Sequence, residues 1–141
     1  MAKSATISRQ GWVLLHLIFE GTVFSGTGKG KQFIELPWIK QQIKEKLGFT
    51  PYSGTLNIHL TKLDTKKRKL LDAAEGFEVS QQAGYYPGVL FMASIDALAC
   101  AVVVPMVPDY PNNVLEIIAP VYLRGKLGLT DGKAVTVAVT V

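Results

Sequence analysis

Leu47-Gly48-Phe49-Thr50-Pro51-Tyr52-Ser53-Gly54-Thr55-Leu56-Asn57 closes a helix, makes a turn and starts a strand in a single pass, and the fold class turns on that reading. Gly48 suits the C-terminal cap of a helix that begins at Pro37, where proline fits the first turn, and that carries the apolar stripe Ile39, Ile43 and Leu47. After the turn at Ser53-Gly54, Leu56 and Ile58 alternate with Thr55 and Asn57. That is the period of a strand with one buried face, and it puts the Thr55 and Asn57 oxygens on the same side.

Outward from this segment, strand signals dominate. Branched and aromatic residues fill 12–24, 56–60, 88–95, 99–104, 114–118 and 134–141, the last with strict alternation at Val135, Val137, Val139 and Val141. A polar helix is expected within 61–74 and a short one after Pro120, ending near Gly128 before a turn at Thr130-Asp131-Gly132. Leu36-Pro37 leading to Lys46-Leu47-Gly48-Phe49 is echoed by Ala119-Pro120 leading to Lys126-Leu127-Gly128-Leu129, the mark of an internal duplication or of chance punctuation. The expectation is a mainly β fold with helical connections: one domain over 1–141, with 1–10 as a flexible extension.

The composition, 48% hydrophobic and 18% charged, is that of a globular protein with a sizeable core. The single cysteine, Cys100, lies in an apolar run and reads as a buried, inert thiol in a reducing compartment. There is no run of eighteen apolar residues and no signal-like start, which points to a cytoplasmic protein with no membrane partner. The net charge of +4 is scattered apart from Lys66-Lys67-Arg68-Lys69, which reads as a solvated helix face, so no nucleic-acid partner is expected.

Three segments carry chemistry. Gly26, Gly28 and Gly30 alternate with Thr27, Lys29 and Lys31 after the apolar Val23-Phe24, which suits either a phosphate-cradling loop or a flexible hairpin turn. The pattern is neither a P-loop, which needs Gly-Lys followed by Ser or Thr, nor a dinucleotide fingerprint. Thr55 and Asn57 offer two neutral oxygens, either to turn amides or to magnesium, which keeps several waters and few protein ligands when a nucleotide brings the charge. Glu116 stands alone in the apolar Leu115-Glu116-Ile117-Ile118, so it either points out of the sheet or accepts hydrogen bonds from a polar partner such as a substrate hydroxyl. Arg124 contacts phosphate or solvent. His16 and His59 have no zinc-like spacing with Cys100, and Ser25 has no evident triad partners. Tyr52, Tyr85, Tyr86, Phe24, Phe33 and Trp38 can pack a core or stack on a planar ring.

Taken in order, Gly21-Thr22-Val23-Phe24-Ser25-Gly26-Thr27-Gly28-Lys29-Gly30-Lys31-Gln32-Phe33, then Leu36-Pro37, then the segment from Leu47 to Asn57, then Leu115 through Arg124 with Leu127 and Asp131-Gly132, resemble the CTP-dependent riboflavin kinase family. The resemblance implies a six-stranded cradle-loop barrel built from two related halves. It also implies a phosphotransferase that moves the γ-phosphate of CTP to the ribityl 5′-hydroxyl of riboflavin, giving FMN and CDP. By the same resemblance Gly26, Thr27, Gly28, Lys29, Gly30 and Lys31, together with Val121, Tyr122, Leu123 and Arg124, bind nucleotide. Thr55 and Asn57 bind Mg2+, and Glu116 contacts the flavin and orients or deprotonates its hydroxyl. Two positions depart from the family. Pro108 stands where a flavin-binding threonine is usual, with Asp109 and Tyr110 as possible substitutes, and Lys29 replaces a common glutamate. The Pro108 change leaves a non-catalytic flavin- or nucleotide-binding module on the same barrel as the rival reading, and the positive charge leaves a DNA-binding barrel as a more distant one.

Overall fold

Residues 3–7, 13–79, 84 and 86–141 are described by the structure, a computed structural model. Its strands are β1 (Lys3–Ile7), β2 (Val13–Phe24), β3 (Leu56–Leu60), β4 (Phe77–Val79), β5 (Gly88–Ile95), β6 (Leu98–Pro105), β7 (Val114–Ile118) and β8 (Ala134–Thr140). Its helices are α1 (Lys29–Glu35), α2 (Pro37–Leu47), α3 (Lys62–Lys67), α4 (Lys69–Ala73) and α5 (Leu123–Leu127).

The strict alternation in β8 does what period-2 patterning requires: Val135, Val137 and Val139 are buried while their neighbours turn outward. Pairing β2 on one side and β5 on the other, β8 closes the sheet that runs β2-β3-β7-β6-β5. The result is a closed, antiparallel six-stranded barrel, with β1 and β4 as edge additions on β2 and β5. Its interior is filled by Leu17, Phe19, Val23, Leu56, Ile58, Phe91, Val102, Leu115, Ile117 and the β8 valines.

A second apolar layer lies outside the barrel. Ile34, Ile39 and Ile43 from α1 and α2 cover Val79, Leu90, Ala101, Val103 and Ile118. This explains why β6 and β7 read as nearly continuous apolar runs, since their strands are covered on both faces. Cys100 is fully buried, and burial pushes its thiol up to about 12, as expected of an inert core cysteine.

Several expectations are corrected. Residues 3–7, assigned to a flexible extension, form β1 and pair with β2. The helix expected over 61–74 is two short helices meeting at Arg68. Helix α1 and strand β4 were not foreseen. The cation run is no uniform solvated face: Arg68 is 6% exposed, and Lys67 turns inward to the Ile18 carbonyl, Asp64 and the Phe19 ring. Of the suspected duplication, the two helix ends match, with Gly48 and Gly128 both left-handed and their N–H groups bonded four residues back, but α2 is more than twice the length of α5. Trp12 and Tyr85 lie outside the described residues.

Candidate active site

The register of the barrel assembles the site. Asn57 on β3 stands opposite Phe24 on β2 and opposite Glu116 on β7, and Glu116 in turn stands opposite Val103 on β6. Residues paired in this way present their side chains on one side of the sheet. With Leu56, Ile58, Leu115 and Ile117 committed to the interior, Thr55, Asn57, His59 and Glu116 are directed outward. Thr55 Oγ1 donates to Asn57 Oδ1 at 3.2 Å and lies 3.5 Å from Glu116 Oε1.

The glycine cluster lies over this rung. Its second half is the first turn of α1, capped by Gly28, so the hairpin-turn alternative is excluded. Here the glycines are required by close approach. A Cβ at position 26 would sit 2.4 Å from Asn57 Nδ2, and one at position 30 would sit 2.5 Å from Thr55 Oγ1 and 2.9 Å from Glu116 Oε1. The cluster is therefore pressed onto the three polar side chains that the sequence singled out.

Two cavities meet there. The first, an open cleft of about 810 Å³, is lined by residues 24–31, Asn57, His59, Tyr122 and Arg124 among others. The second, of about 660 Å³, has a largely apolar wall that includes Phe33, Tyr86, Val107 and Pro108. Gly30, Thr55, Tyr110 and Glu116 line both. Lys29 also borders both cavities, whereas Lys31 borders only the first and lies 3.9 Å from Glu35.

Arg124 enters the open cleft from α5. One of its terminal nitrogens donates to Asp131 at 2.9 Å, to the Phe24 carbonyl at 3.2 Å and to Ser25 Oγ at 3.3 Å. Ser25 also donates to Asp131, at 2.9 and 3.0 Å. Arg124 first, and Ser25 second, hold the exposed Asp131 carboxyl below the usual carboxylate range. Val121, Tyr122, Leu123 and Arg124 border a narrow adjoining crevice with residues 52–56, where Tyr52 and Tyr122 stack at 5.1 Å. Leu123 itself faces the core and offers that crevice little but backbone.

On the other side, Tyr110 donates to Glu116 Oε2 at 2.5 Å. Its ring lies under the Arg68 guanidinium, 5.7 Å from the centroid, and burial followed by the bond to Glu116 pushes the phenol far above its ordinary value. Glu116 is thus not an orphaned carboxylate: one oxygen is bonded and the other faces Thr55.

The donor set fits a magnesium ion. Two neutral oxygens sit side by side, Asn57 Oδ1 is turned toward Thr55 while Nδ2 faces Gly26, and the adjacent cleft has room for waters and phosphate oxygens. Among the described residues no cluster of three His, Cys, Asp or Glu offers a competing site. Thus Thr55, Asn57, Glu116, the glycine cluster and Arg124 line one cleft. Ser25, His59, Arg68, Tyr110 and Asp131 join them. Tyr110 was named in the sequence as a substitute for the hydroxyl absent at Pro108, but spacing had no means of joining the others to the site, because Ser25 and Asp131 lie 106 positions apart and Arg68 was hidden in a run of cations. His59 is stacked on Phe24 at 3.7 Å on the cleft wall.

No helix among the described residues is long and apolar enough to cross a membrane. The chain is 40% identical over 134 residues to a Saccharolobus solfataricus protein named riboflavin kinase, covering 90% of this chain and 77% of that one. It is 36% identical over 132 residues to a Sulfurisphaera tokodaii protein of the same name, covering 89% and 96%. To the Archaeoglobus fulgidus riboflavin kinase it is 39% identical over 124 residues, or 85% of this chain, and spans about half of that relative's length (53%). The CTP-dep_RFKase family, described as a domain of unknown function, DUF120, matches residues 23–139. This match takes in β3, β5, β6 and β7, all but the last residue of β8, the last two residues of β2 and each polar residue of the site, and the chain belongs to that family.

Proposed function

We propose that this chain transfers the γ-phosphate of CTP to the ribityl 5′-hydroxyl of riboflavin, giving FMN and CDP. The observation that carries the reading is the meeting of two unlike cavities at Gly30, Thr55 and Glu116. Transfer between two substrates requires donor and acceptor in line, and most of the catalysis comes from alignment and charge neutralisation. The open cleft, with its glycines, Lys29, Lys31 and Arg124, suits a polyphosphate. The apolar cavity suits a flat ring system with a polar tail that reaches Glu116. The relatives' name supports riboflavin as acceptor, and the family's name supports CTP as donor.

In this reading the acceptor oxygen forms a bond to the γ-phosphorus while the bond to the β–γ bridging oxygen breaks, and the electron pair leaves with CDP. Glu116 Oε1 accepts a hydrogen bond from the acceptor hydroxyl, orients it and takes its proton as the new oxygen–phosphorus bond forms. The glycine cluster brings backbone close to the phosphates, and Lys29, Lys31 and Arg124 offset their charge. Thr55 and Asn57 would hold Mg2+, which when bound neutralises phosphate charge and fixes the orientation of the triphosphate.

The test is an assay of riboflavin and magnesium with each of the four nucleoside triphosphates, with FMN resolved by chromatography. FMN from CTP supports the reading. FMN from ATP but not CTP removes the proposed donor. Tight flavin binding with no turnover from any donor replaces the enzyme by a binding module, the alternative that Pro108 raises.

A further inference from the structure

Glu116 reaches the junction of the two cavities on a side chain with three rotatable bonds, and a carboxylate free to swing would present either oxygen in many directions. The protein removes that freedom from one side. Tyr110 holds Oε2 at 2.5 Å, leaving Oε1 beside Thr55 and Gly30. Tyr110 is itself held, because its ring lies under Arg68, whose Nε donates to the carbonyl of Val114 at 3.0 Å, two residues before Glu116 on β7. Arg68 is 6% exposed and reaches Asp72 at 3.8 Å, so it is fixed in turn.

We propose that Tyr110 is a positioning residue for Glu116: it occupies Oε2 and so aims Oε1 at the acceptor hydroxyl where the two cavities meet, with Arg68 bracing its ring. The inference rests on the phosphotransferase reading for its consequence, though the contact stands independently of it. Tyr110 reaches this place from the segment in which Pro108 removes a hydroxyl, and it lines both cavities itself. Because burial keeps the phenol protonated, it remains a donor to the carboxylate throughout the neutral range.

The experiment compares the unchanged protein with Tyr110→Phe, Glu116→Gln and the double variant. Tyr110→Phe keeps the ring under Arg68 and deletes only the donor, so kcat is expected to fall by roughly tenfold to a hundredfold, the usual worth of a hydrogen bond to a charged group, with the nucleotide KM unchanged. In the Glu116→Gln background the same substitution should cost less than about twofold, since its effect passes through the carboxylate. An equal cost in both backgrounds, or a Tyr110→Phe protein within twofold of the original, overturns the proposal. Tyr110→Leu, which also lacks a donor, is the second variant should the first fail to fold, and the same split of kcat from KM is expected of it.

A measurement without turnover separates this proposal from the reaction assigned to the site. In protein labelled with 13C at the glutamate carboxyls, the Glu116 signal, identified by its loss in Glu116→Gln, should move in Tyr110→Phe. A signal that stays in place overturns the positioning contact even in an active enzyme. If the unchanged protein makes no FMN from any donor, the phosphotransferase reading fails, and a moved signal still supports the contact while an unmoved one overturns it.

Discussion

Asn57 and Glu116 face each other across the β3–β7 pair, so a proposed metal ligand and the group proposed to orient the acceptor are placed by the register of one antiparallel ladder. A slip of one residue in either strand would send that strand's side chain into the barrel interior. Their separation is therefore built into the sheet, not into a loop.

From that placement, Asn57→Ala should leave the fold intact and raise the magnesium concentration needed for half-maximal rate by about tenfold, because one of few protein oxygens is lost. Titration of the rate with magnesium at saturating nucleotide checks this. An unchanged midpoint would take Asn57 out of the metal site.

Gly30→Ala separates activity from stability. Position 30 lies in the first turn of α1, where alanine is intrinsically better than glycine by about 1 kcal/mol, yet the methyl would crowd Thr55 Oγ1 and Glu116 Oε1. The expected outcome is a melting temperature within a few degrees of the original and a kcat lowered by at least about tenfold. A loss of both together would mean that the backbone, not the site, absorbed the clash.

The contrast between what was legible in the sequence and what was not follows the range of the interactions. The barrel strands and α2 were legible because alternation, a proline start and a glycine cap are written within a few residues of one another. Thr55-Leu56-Asn57 was legible as geometry but ambiguous as chemistry, since turn capping uses the same side chains. The pressing of Gly26 and Gly30 onto Asn57 and Thr55 depends on how α1 folds back across β3 and β7, and no local pattern encodes that approach. Helix α1 was itself missed because its three-glycine entry reads as a breaker. The inward turn of Arg68 was missed because the burial of one cation in a run of four is decided by a distant carbonyl and a distant ring.

That run therefore divides. Arg68→Ala should destabilise the protein by about 2 kcal/mol or more, since it leaves the Val114 carbonyl unpaired and removes buried stem packing, whereas Lys66→Ala, on the exposed side, should fall within about 0.5 kcal/mol of the original. Urea unfolding of both variants checks the difference.

Asp131 links stability to acid. Its carboxyl is lowered in the folded protein by Arg124 and Ser25, so its contribution is complete above the unfolded value of about 3.9 and is lost as pH falls through the lower folded value. Melting curves of Asp131→Asn and the original should differ at neutral pH and converge in that acid range. The exposure of Asp131, 57% of its side chain, keeps the difference small, and the larger effect at neutral pH should be a nucleotide KM raised a few-fold as Arg124 loses its anchor. Convergence at neutral pH, or a KM unchanged, would leave the Arg124–Asp131 pair without a part in the cleft.

Pro108→Thr tests the acceptor side. Pro108 is exposed on the apolar cavity, so the substitution disturbs no packing and costs about 0.4–1 kcal/mol through the freer unfolded chain. If a hydroxyl at this position contributes to flavin recognition, the riboflavin KM should fall several-fold while the nucleotide KM stays constant, since position 108 lines only the apolar cavity. A riboflavin KM that does not move would assign the lost contact to Tyr110, two residues on, whose phenol oxygen already reaches the same junction and can accept a hydrogen bond while it donates to Glu116.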